Sequence, residues 1–118
     1  MFVYGSLKRG LIHHEELKGA RFLREAHLPG YHLVLYEDSY PALVENPASQ
    51  LGVRGELFAV SPEQLSQLDE FEDCPRLYQR MRVQLADGHC PWAYVIPKDA
   101  GARYTIISGE WTGEQRKI

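Results

Sequence analysis

The stretch VRGELFAVSPEQLSQLDEFE, residues 53–72, predicts a strand followed directly by a helix. The strand covers Val53 to Val60 and contains Gly55, and a glycine inside a strand often marks a bulge or a close backbone approach. The helix start has a serine at the N-cap, a proline at the first helical position and a glutamine at capping-box spacing: Ser61, Pro62 and Gln64. The helix should run to about Glu72, because Pro75 disfavours helical backbone in the residue before it.

Short apolar stretches on both sides of this unit predict further strands. They are Met1 to Tyr4, Phe22 to Leu28, Tyr31 to Tyr36, Tyr40 to Val44, Tyr78 to Leu85, Cys90 to Ile96 and, as strand or tail, Ile106 to Trp111. Asp87 and Gly88 form a hairpin-turn signal, and Leu11 to Leu17 predicts a short helix closed by Gly19. Strands outnumber helices and do not alternate with them, which favours α+β: a small, mixed but mainly antiparallel, β-barrel-like sheet with two or so short helices.

The composition excludes several classes of function. The 118 residues predict one domain over 1–118, and their formal net charge of −3 lacks the footprint of a general nucleic-acid binder. No window reaches the roughly 18 apolar residues that span a bilayer. Met1 leads into Phe2 without a basic start or a long apolar run, and two cysteines are too few for a disulfide framework. We therefore expect a soluble, cytoplasmic domain without nucleic-acid or membrane partners.

One acid of the predicted helix points toward its apolar face. With Leu65 at zero and an advance of about 100° per residue, Leu68 falls near 300° and Phe71 near 240°. On the same scale Glu72 falls at about 340°, between the two leucines, whereas Glu70 falls at about 140° on the opposite side. Glu72 is therefore the acid of this segment that is aimed inward.

An inward carboxyl at Glu72 has two interpretations. In an apolar pocket, desolvation disfavours the charged form and raises the pKa, as a general acid/base near neutral pH requires. Alternatively, the helix frays before Glu72, and the carboxyl reaches solvent or pairs with Arg80 or Arg82.

The loop GSLKRG, residues 5–10, follows the first predicted strand. A phosphate-binding P-loop would end in Gly-Lys-Ser/Thr, but Leu11 follows Gly10. Gly5 permits a tight turn whose backbone N–H groups hold a carboxylate or a developing oxyanion, or it is an ordinary strand-to-loop glycine. Ser6 is a weak nucleophile candidate, because no Gly-x-Ser-x-Gly surrounds it and no partner base can be named.

Other chemistry-bearing residues are better explained by packing and solvation. The segment HHEE, residues 13–16, would need a histidine at position 18 for a helical zinc motif, and Lys18 stands there, so a solvated helix face is expected. Two cysteines are expected as small core residues and two tryptophans as core rather than a base-stacking platform: Cys74, Cys90, Trp92 and Trp111.

Three segments, in order along the chain, resemble the γ-glutamylcyclotransferase-like (AIG2-like) family. FVYGSLKRG, residues 2–10, resembles its Tyr-Gly-Ser/Thr-Leu signature, and LDEFEDCPRLYQR, residues 68–80, resembles the acidic segment of the γ-glutamylamine cyclotransferase branch. ISGEW, residues 107–111, is similar to the ending of small bacterial members. The resemblance implies one pocket, with Glu72 as the acid/base residue. It also implies substrate-binding residues, namely Tyr4, Gly5, Ser6, Leu7 and Tyr78.

The implied reaction cleaves a γ-glutamyl amide without water. The substrate's α-amine attacks its own γ-carbonyl, and 5-oxoproline and a free amine are released, with no metal or organic cofactor. Glu72 would take the proton from the α-ammonium and return it to the departing nitrogen. Two other functions remain open: a non-catalytic module that binds a small carboxylate metabolite in the same pocket, and a partner-binding domain in which the pocket is closed and Glu72 is tied up with Arg80 or Arg82.

Overall fold

The computed structural model describes residues 1–37, 40–49, 51–74, 76–96, 104–107 and 109–113. Eight strands are found in this part of the chain: β1 (Phe2–Val3), β2 (Arg21–Leu28), β3 (Tyr31–Tyr36), β4 (Tyr40–Glu45), β5 (Val53–Ala59), β6 (Gln79–Arg82), β7 (Trp92–Val95) and β8 (Tyr104–Ile106). One α-helix, α1 (Pro62–Phe71), and one 3₁₀ helix (His14–Leu17) accompany them. No helix among these residues is long and apolar enough to cross a membrane.

The strands form three antiparallel sheets, in the orders β1-β5-β2, β4-β3-β8 and β6-β7. The predicted α+β class with mainly antiparallel pairing is confirmed. The barrel-like sheet is not confirmed, because none of the sheets formed by the described residues closes. Each has two or three strands, fewer than a closed barrel needs.

The short helix predicted over Leu11 to Leu17 is confirmed only in its second half. Only His14–Leu17 is helical, and it is a 3₁₀ helix. The residues before it bond back to the preceding loop instead, since the Leu11 N–H donates to the Lys8 carbonyl and the His13 N–H to the Ser6 carbonyl. Residues 11–13 therefore lie in turns that fold back on the loop, and the helix begins only at His14.

The strand bounds agree with the prediction to different degrees. β1 is one residue shorter than predicted at each end, and β7 begins two residues later and ends one residue earlier than predicted. β3 has the predicted bounds, and β2, β4 and β5 differ from the prediction by one residue at one end. β6 ends at Arg82, short of the predicted Leu85, next to a proline at position 91 that has no N–H to donate to the ladder. β8 ends at Ile106, where the prediction began, and position 108 of that segment lies outside the described residues.

β1 lies between two clusters of buried side chains. Phe2 packs in one with the inward side chains of β3 and β5, and Val3 packs in the other with Leu68 of α1. Consecutive strand residues face opposite sides, so a two-residue strand contributes to both clusters. The end of β1 is thereby fixed beside α1.

The expectations for the cysteines and tryptophans are met in part. Trp111 is buried, as predicted. Trp92 is half-buried under two arginine side chains. Cys74 is half-buried, and Cys90 is exposed in the turn region before β7, so the core assignment is wrong for Cys90.

Gly55 of β5 lies closely against β1. A Cβ atom there would lie 2.7 Å from Cζ of Phe2 and against the Val3 carbonyl oxygen. The predicted close backbone approach is therefore confirmed. It lets β1 pair with β5 and sets the direction in which the chain leaves β1 at Tyr4.

Replacing Gly55 by alanine should destabilise the protein. The added methyl forces Phe2 or the β1 backbone to move, and overpacking of this kind typically costs about 2 kcal/mol. Chemical denaturation monitored by circular dichroism measures the loss, with Ser66→Ala on the exposed side of α1 as the matched control. Equal stability of the two variants would contradict the packing described for β1.

Candidate active site

A cavity of about 170 Å³ lies where the end of β1, the end of α1 and strand β4 meet. Its lining includes all six residues that the sequence singled out: Tyr4, Gly5, Ser6, Leu7, Glu72 and Tyr78. Most of the other lining side chains are aromatic or aliphatic. A single water needs only roughly 15 Å³ on such a scale, so the cavity has room for a small organic molecule.

The capping box places the end of α1 at the cavity. The Ser61 hydroxyl accepts from the Gln64 N–H at 3.1 Å, and the Gln64 side-chain oxygen accepts from the Ser61 N–H at 2.9 Å, as predicted. The helix ends at Phe71, and Glu72 is its C-cap. The next residue, Asp73, has a φ of 54°, the left-handed conformation that often terminates a helix.

Glu72 is half-buried in the cavity wall. In the described part of the chain, its carboxylate has no hydrogen-bond donor and no ion-pair partner. Desolvation by burial raises the pKa of Glu72 from 4.5 to about 7. The helix does end before Glu72, as the alternative interpretation held, but the carboxyl still faces the cavity.

The arginines that were candidates to neutralise Glu72 are engaged elsewhere. Nε of Arg80 lies 2.9 Å from Oδ1 of Asp69. The guanidinium groups of Arg80 and Arg82 lie 4.5 Å and 4.1 Å from the centre of the Trp92 ring. The alternative in which Glu72 pairs with either arginine is therefore wrong, and no cation among the described residues opposes the desolvation of this carboxyl.

Two tyrosine hydroxyls near Glu72 donate to backbone carbonyl groups. The Tyr78 hydroxyl donates to the Pro41 carbonyl at 2.6 Å, and the Tyr4 hydroxyl donates to the Tyr94 carbonyl at 2.8 Å. Burial, and then the neighbouring Glu72 charge, raise the pKa of Tyr78 far above its usual range. The tyrosines therefore stay neutral and present ring surface to the cavity.

The turn after β1 is packed closely against β4. A Cβ atom at Gly5 would lie 2.7 Å from Cγ of Pro41, so this position requires glycine for space. The Gly5 carbonyl accepts from the Lys8 N–H at 3.1 Å and closes the turn. The N–H groups of Gly5, Ser6 and Leu7 have no acceptor among the described residues, which leaves donors for a ligand.

The two adjacent histidines after this turn bond back to it. Nδ1 of His13 lies 2.8 Å from the Ser6 hydroxyl, and Nδ1 of His14 donates to the Leu7 carbonyl at 2.8 Å. Both are half-buried, so the predicted solvated face is wrong for the histidines, although Glu15 is exposed. The described residues contain no cluster of three or more potential metal ligands.

Several lining residues were not anticipated from the sequence. They are Tyr40 and Pro41 of β4, Tyr94 of β7, Leu77 and His13. The first three come from strands distant in the chain, and local patterns do not show which strands meet. His13 had been considered only as part of a possible metal motif, and the structure places its ring beside the Ser6 hydroxyl instead.

Comparisons with known proteins show which family the sequence matches. The family described as Gamma-glutamyl cyclotransferase, AIG2-like, matches residues 1–113. A Homo sapiens protein named Gamma-glutamylaminecyclotransferase is 39% identical over 117 residues, which cover 92% of this chain and 76% of that protein. A Vibrio cholerae protein named Putative gamma-glutamylcyclotransferase is 32% identical over 111 residues, which cover 94% of this chain and 93% of that protein.

A solved structure of a similar protein has a similar fold. The crystal structure of an AIG2-like protein from Mus musculus superimposes with a TM-score of 0.69 and 32% sequence identity. The superposition covers 84% of this chain and 76% of that chain.

The Glu72→Gln variant should become more stable than the parent protein as pH rises. The folded-state pKa of Glu72 is raised, so the folded protein binds this proton more tightly than the unfolded chain, and folding stability is lost as pH rises from 4.5 to about 7. Glutamine lacks this titration. The difference should be near zero at pH 4 and reach up to about 3 kcal/mol by pH 9, measured by urea denaturation.

Glu70→Gln is the control, because Glu70 is exposed. The stability of this variant relative to the parent protein should not rise with pH. A Glu72→Gln variant whose stability relative to the parent is the same at pH 4 and pH 9 would rule out a desolvated carboxyl at this position.

Proposed function

The chain belongs to the AIG2-like gamma-glutamyl cyclotransferase family, and we propose that it cleaves γ-glutamyl amides by cyclisation with Glu72 as general acid/base. The observation that carries the assignment of Glu72 is its unpaired carboxyl in the cavity wall, with a pKa of about 7. A group with that pKa can both accept and return a proton near neutral pH. The products are 5-oxoproline and a free amine.

The first step is proton removal from the substrate. The α-ammonium of the γ-glutamyl group has no lone pair and is not a nucleophile, so the Glu72 carboxylate takes one proton from it. The free amine then attacks the γ-carbonyl carbon and closes a five-membered ring. Nucleophile and electrophile belong to one molecule, so the site has mainly to hold the folded-back conformer.

The second step is collapse of the tetrahedral intermediate. The C–N bond to the leaving amine breaks as Glu72, now a carboxylic acid, protonates the departing nitrogen. The ring nitrogen gives up its second proton to the released amine, which leaves as an ammonium. The proton removed in the first step is thus returned, and no water is consumed. The unused N–H groups of Gly5, Ser6 and Leu7 support an anion-holding role for the turn, and the neutral ring of Tyr78 shapes the wall beside the reacting carboxyl.

The substrate class follows from the relatives. The human relative is named a gamma-glutamylamine cyclotransferase, and the Vibrio cholerae relative a putative gamma-glutamylcyclotransferase. We therefore assign small γ-glutamyl amines or amides as substrates. The partner-binding alternative required a closed pocket and a neutralised Glu72, and the described residues show an open cavity and an unpaired carboxyl. The non-catalytic alternative has no observation in its favour.

Glu72→Gln should abolish release of 5-oxoproline while the protein stays folded. Glutamine keeps the size of the side chain but accepts no proton at neutral pH, and positioned acid/base help of this kind is worth roughly 10²–10⁴-fold in rate. Mass spectrometry of 5-oxoproline measures the loss, after incubation with a panel of γ-glutamyl amines and γ-glutamyl dipeptides.

Glu70→Gln, two residues away and exposed, should retain full turnover. A folded Glu72→Gln variant with unchanged turnover would refute the role given to this carboxyl. A wild-type protein that releases no 5-oxoproline from any panel member would refute the activity.

The pH dependence of kcat/KM should report Glu72. The free enzyme must hold this group as a carboxylate to accept the proton, so kcat/KM should fall as pH drops through about 7. Steady-state assays from pH 5 to pH 8.5 measure the midpoint. An inflection near 4.5, or no decrease in this range, would contradict the assignment.

A further inference from the structure

The His13 side chain contacts two parts of the cavity wall. Nδ1 of its ring lies 2.8 Å from the Ser6 hydroxyl, in the turn after β1. The edge of the ring meets Phe71, with ring centroids 5.2 Å apart and planes inclined by 64°. Phe71 is the last residue of α1 and directly precedes Glu72. His13 therefore lies between the donor turn and the carboxyl.

The backbone around His13 holds this ring in place. The His13 N–H donates to the Ser6 carbonyl at 3.0 Å, so main chain and side chain both tie His13 to Ser6. The His13 carbonyl accepts from the Glu16 N–H at 3.0 Å and anchors the other side. Ring packing on Phe71 restricts rotation of the imidazole. Nδ1 is thus kept within reach of the Ser6 oxygen.

The chemistry of the two groups decides what the contact does when an anion is bound. A serine hydroxyl has one hydrogen, and a carboxylate only accepts. If the Ser6 hydroxyl donates to a carboxylate, its oxygen is left to accept, and the available donor is Nδ1–H of His13. Among the described residues, the cavity lining contains no lysine or arginine, so these residues offer a bound carboxylate backbone N–H groups and hydroxyls.

We propose that His13 is a positioning residue that makes the Ser6 hydroxyl a donor to the α-carboxylate of the γ-glutamyl substrate. The inference rests on the proposed function for the identity of the anion. This carboxylate is present in the substrate and in 5-oxoproline, so the contact persists from binding to product release. His13 acts through Ser6, while Glu72 performs the proton transfers.

A double-mutant cycle separates this role from simple packing. His13→Phe keeps an aromatic ring against Phe71 but removes both nitrogens, and Ser6→Ala removes the hydroxyl. Each should raise KM about tenfold, the loss of one hydrogen bond to a charged group, with kcat little changed. Because the two residues act in series, the double variant should bind no worse than Ser6→Ala alone.

His89→Phe is the matched control, since His89 is exposed and its ring contacts Asp87 rather than the cavity. Its KM should equal that of the parent, and melting temperatures verify folding of every variant. Additive losses in the double variant, or an unchanged KM in His13→Phe, would overturn the proposal.

A spectroscopic measurement tests the proton position without any turnover. In ¹⁵N NMR of the full chain saturated with 5-oxoproline, Nδ1 of His13 should carry the hydrogen. In the Ser6→Ala variant, adding 5-oxoproline should no longer change whether Nδ1 carries it. A bare Nδ1 in the saturated complex, or no binding of 5-oxoproline, would overturn the proposal. Failure of the proposed function has a separate signature, namely no 5-oxoproline from any γ-glutamyl substrate with the parent protein.

Discussion

Burial of the Glu72 carboxyl, which no cation in the described part of the chain opposes, is the constraint around which the cavity is organised. An ion pair would hold this pKa down, whereas desolvation alone raises it to about 7. The neighbouring Asp69 takes the competing interactions. Its carboxylate lies 2.9 Å from Nε of Arg80 and accepts from the Tyr94 hydroxyl at 2.6 Å. The Arg80 guanidinium is therefore paired with Asp69 and not with Glu72. Asp69 and Glu72 thus have different roles, because Asp69 faces Arg80 and Glu72 faces the cavity.

The rest of the fold keeps this carboxyl beside the donor turn. Gly55 admits β1 against β5, and Gly5 admits the following turn against Pro41, so two glycines bring the N–H groups to the cavity. The capping box of α1 fixes where the helix starts and so where Glu72 emerges. Neutral tyrosines complete the wall without adding a charge. Apolar packing around the site offsets the cost of the desolvated acid.

Local signals in the sequence predicted most of the strands, the start of α1 and the inward direction of Glu72. The Ser61 capping box, the bounds of β3 and the inward angle of Glu72 all depend on residues close together in the chain, and all agree with the structure. The walls contributed by β4 and β7 depend on pairing between distant strands, which periodicity does not encode. The contact between His13 and Ser6 was missed because the expected helix begins only at His14, and the turns before it direct the histidines back toward the loop.

Direct titration of the Glu72 carboxyl carbon by ¹³C NMR is the measurement closest to the central claim. Selective labelling of glutamate, with Glu72→Gln to assign the signal, follows this group without any substrate. The account predicts a midpoint at a pH of about 7, with the protein folded throughout. A midpoint at the ordinary value of a solvated glutamate, near pH 4.3, would contradict it, because the carboxyl would then not be desolvated in the cavity.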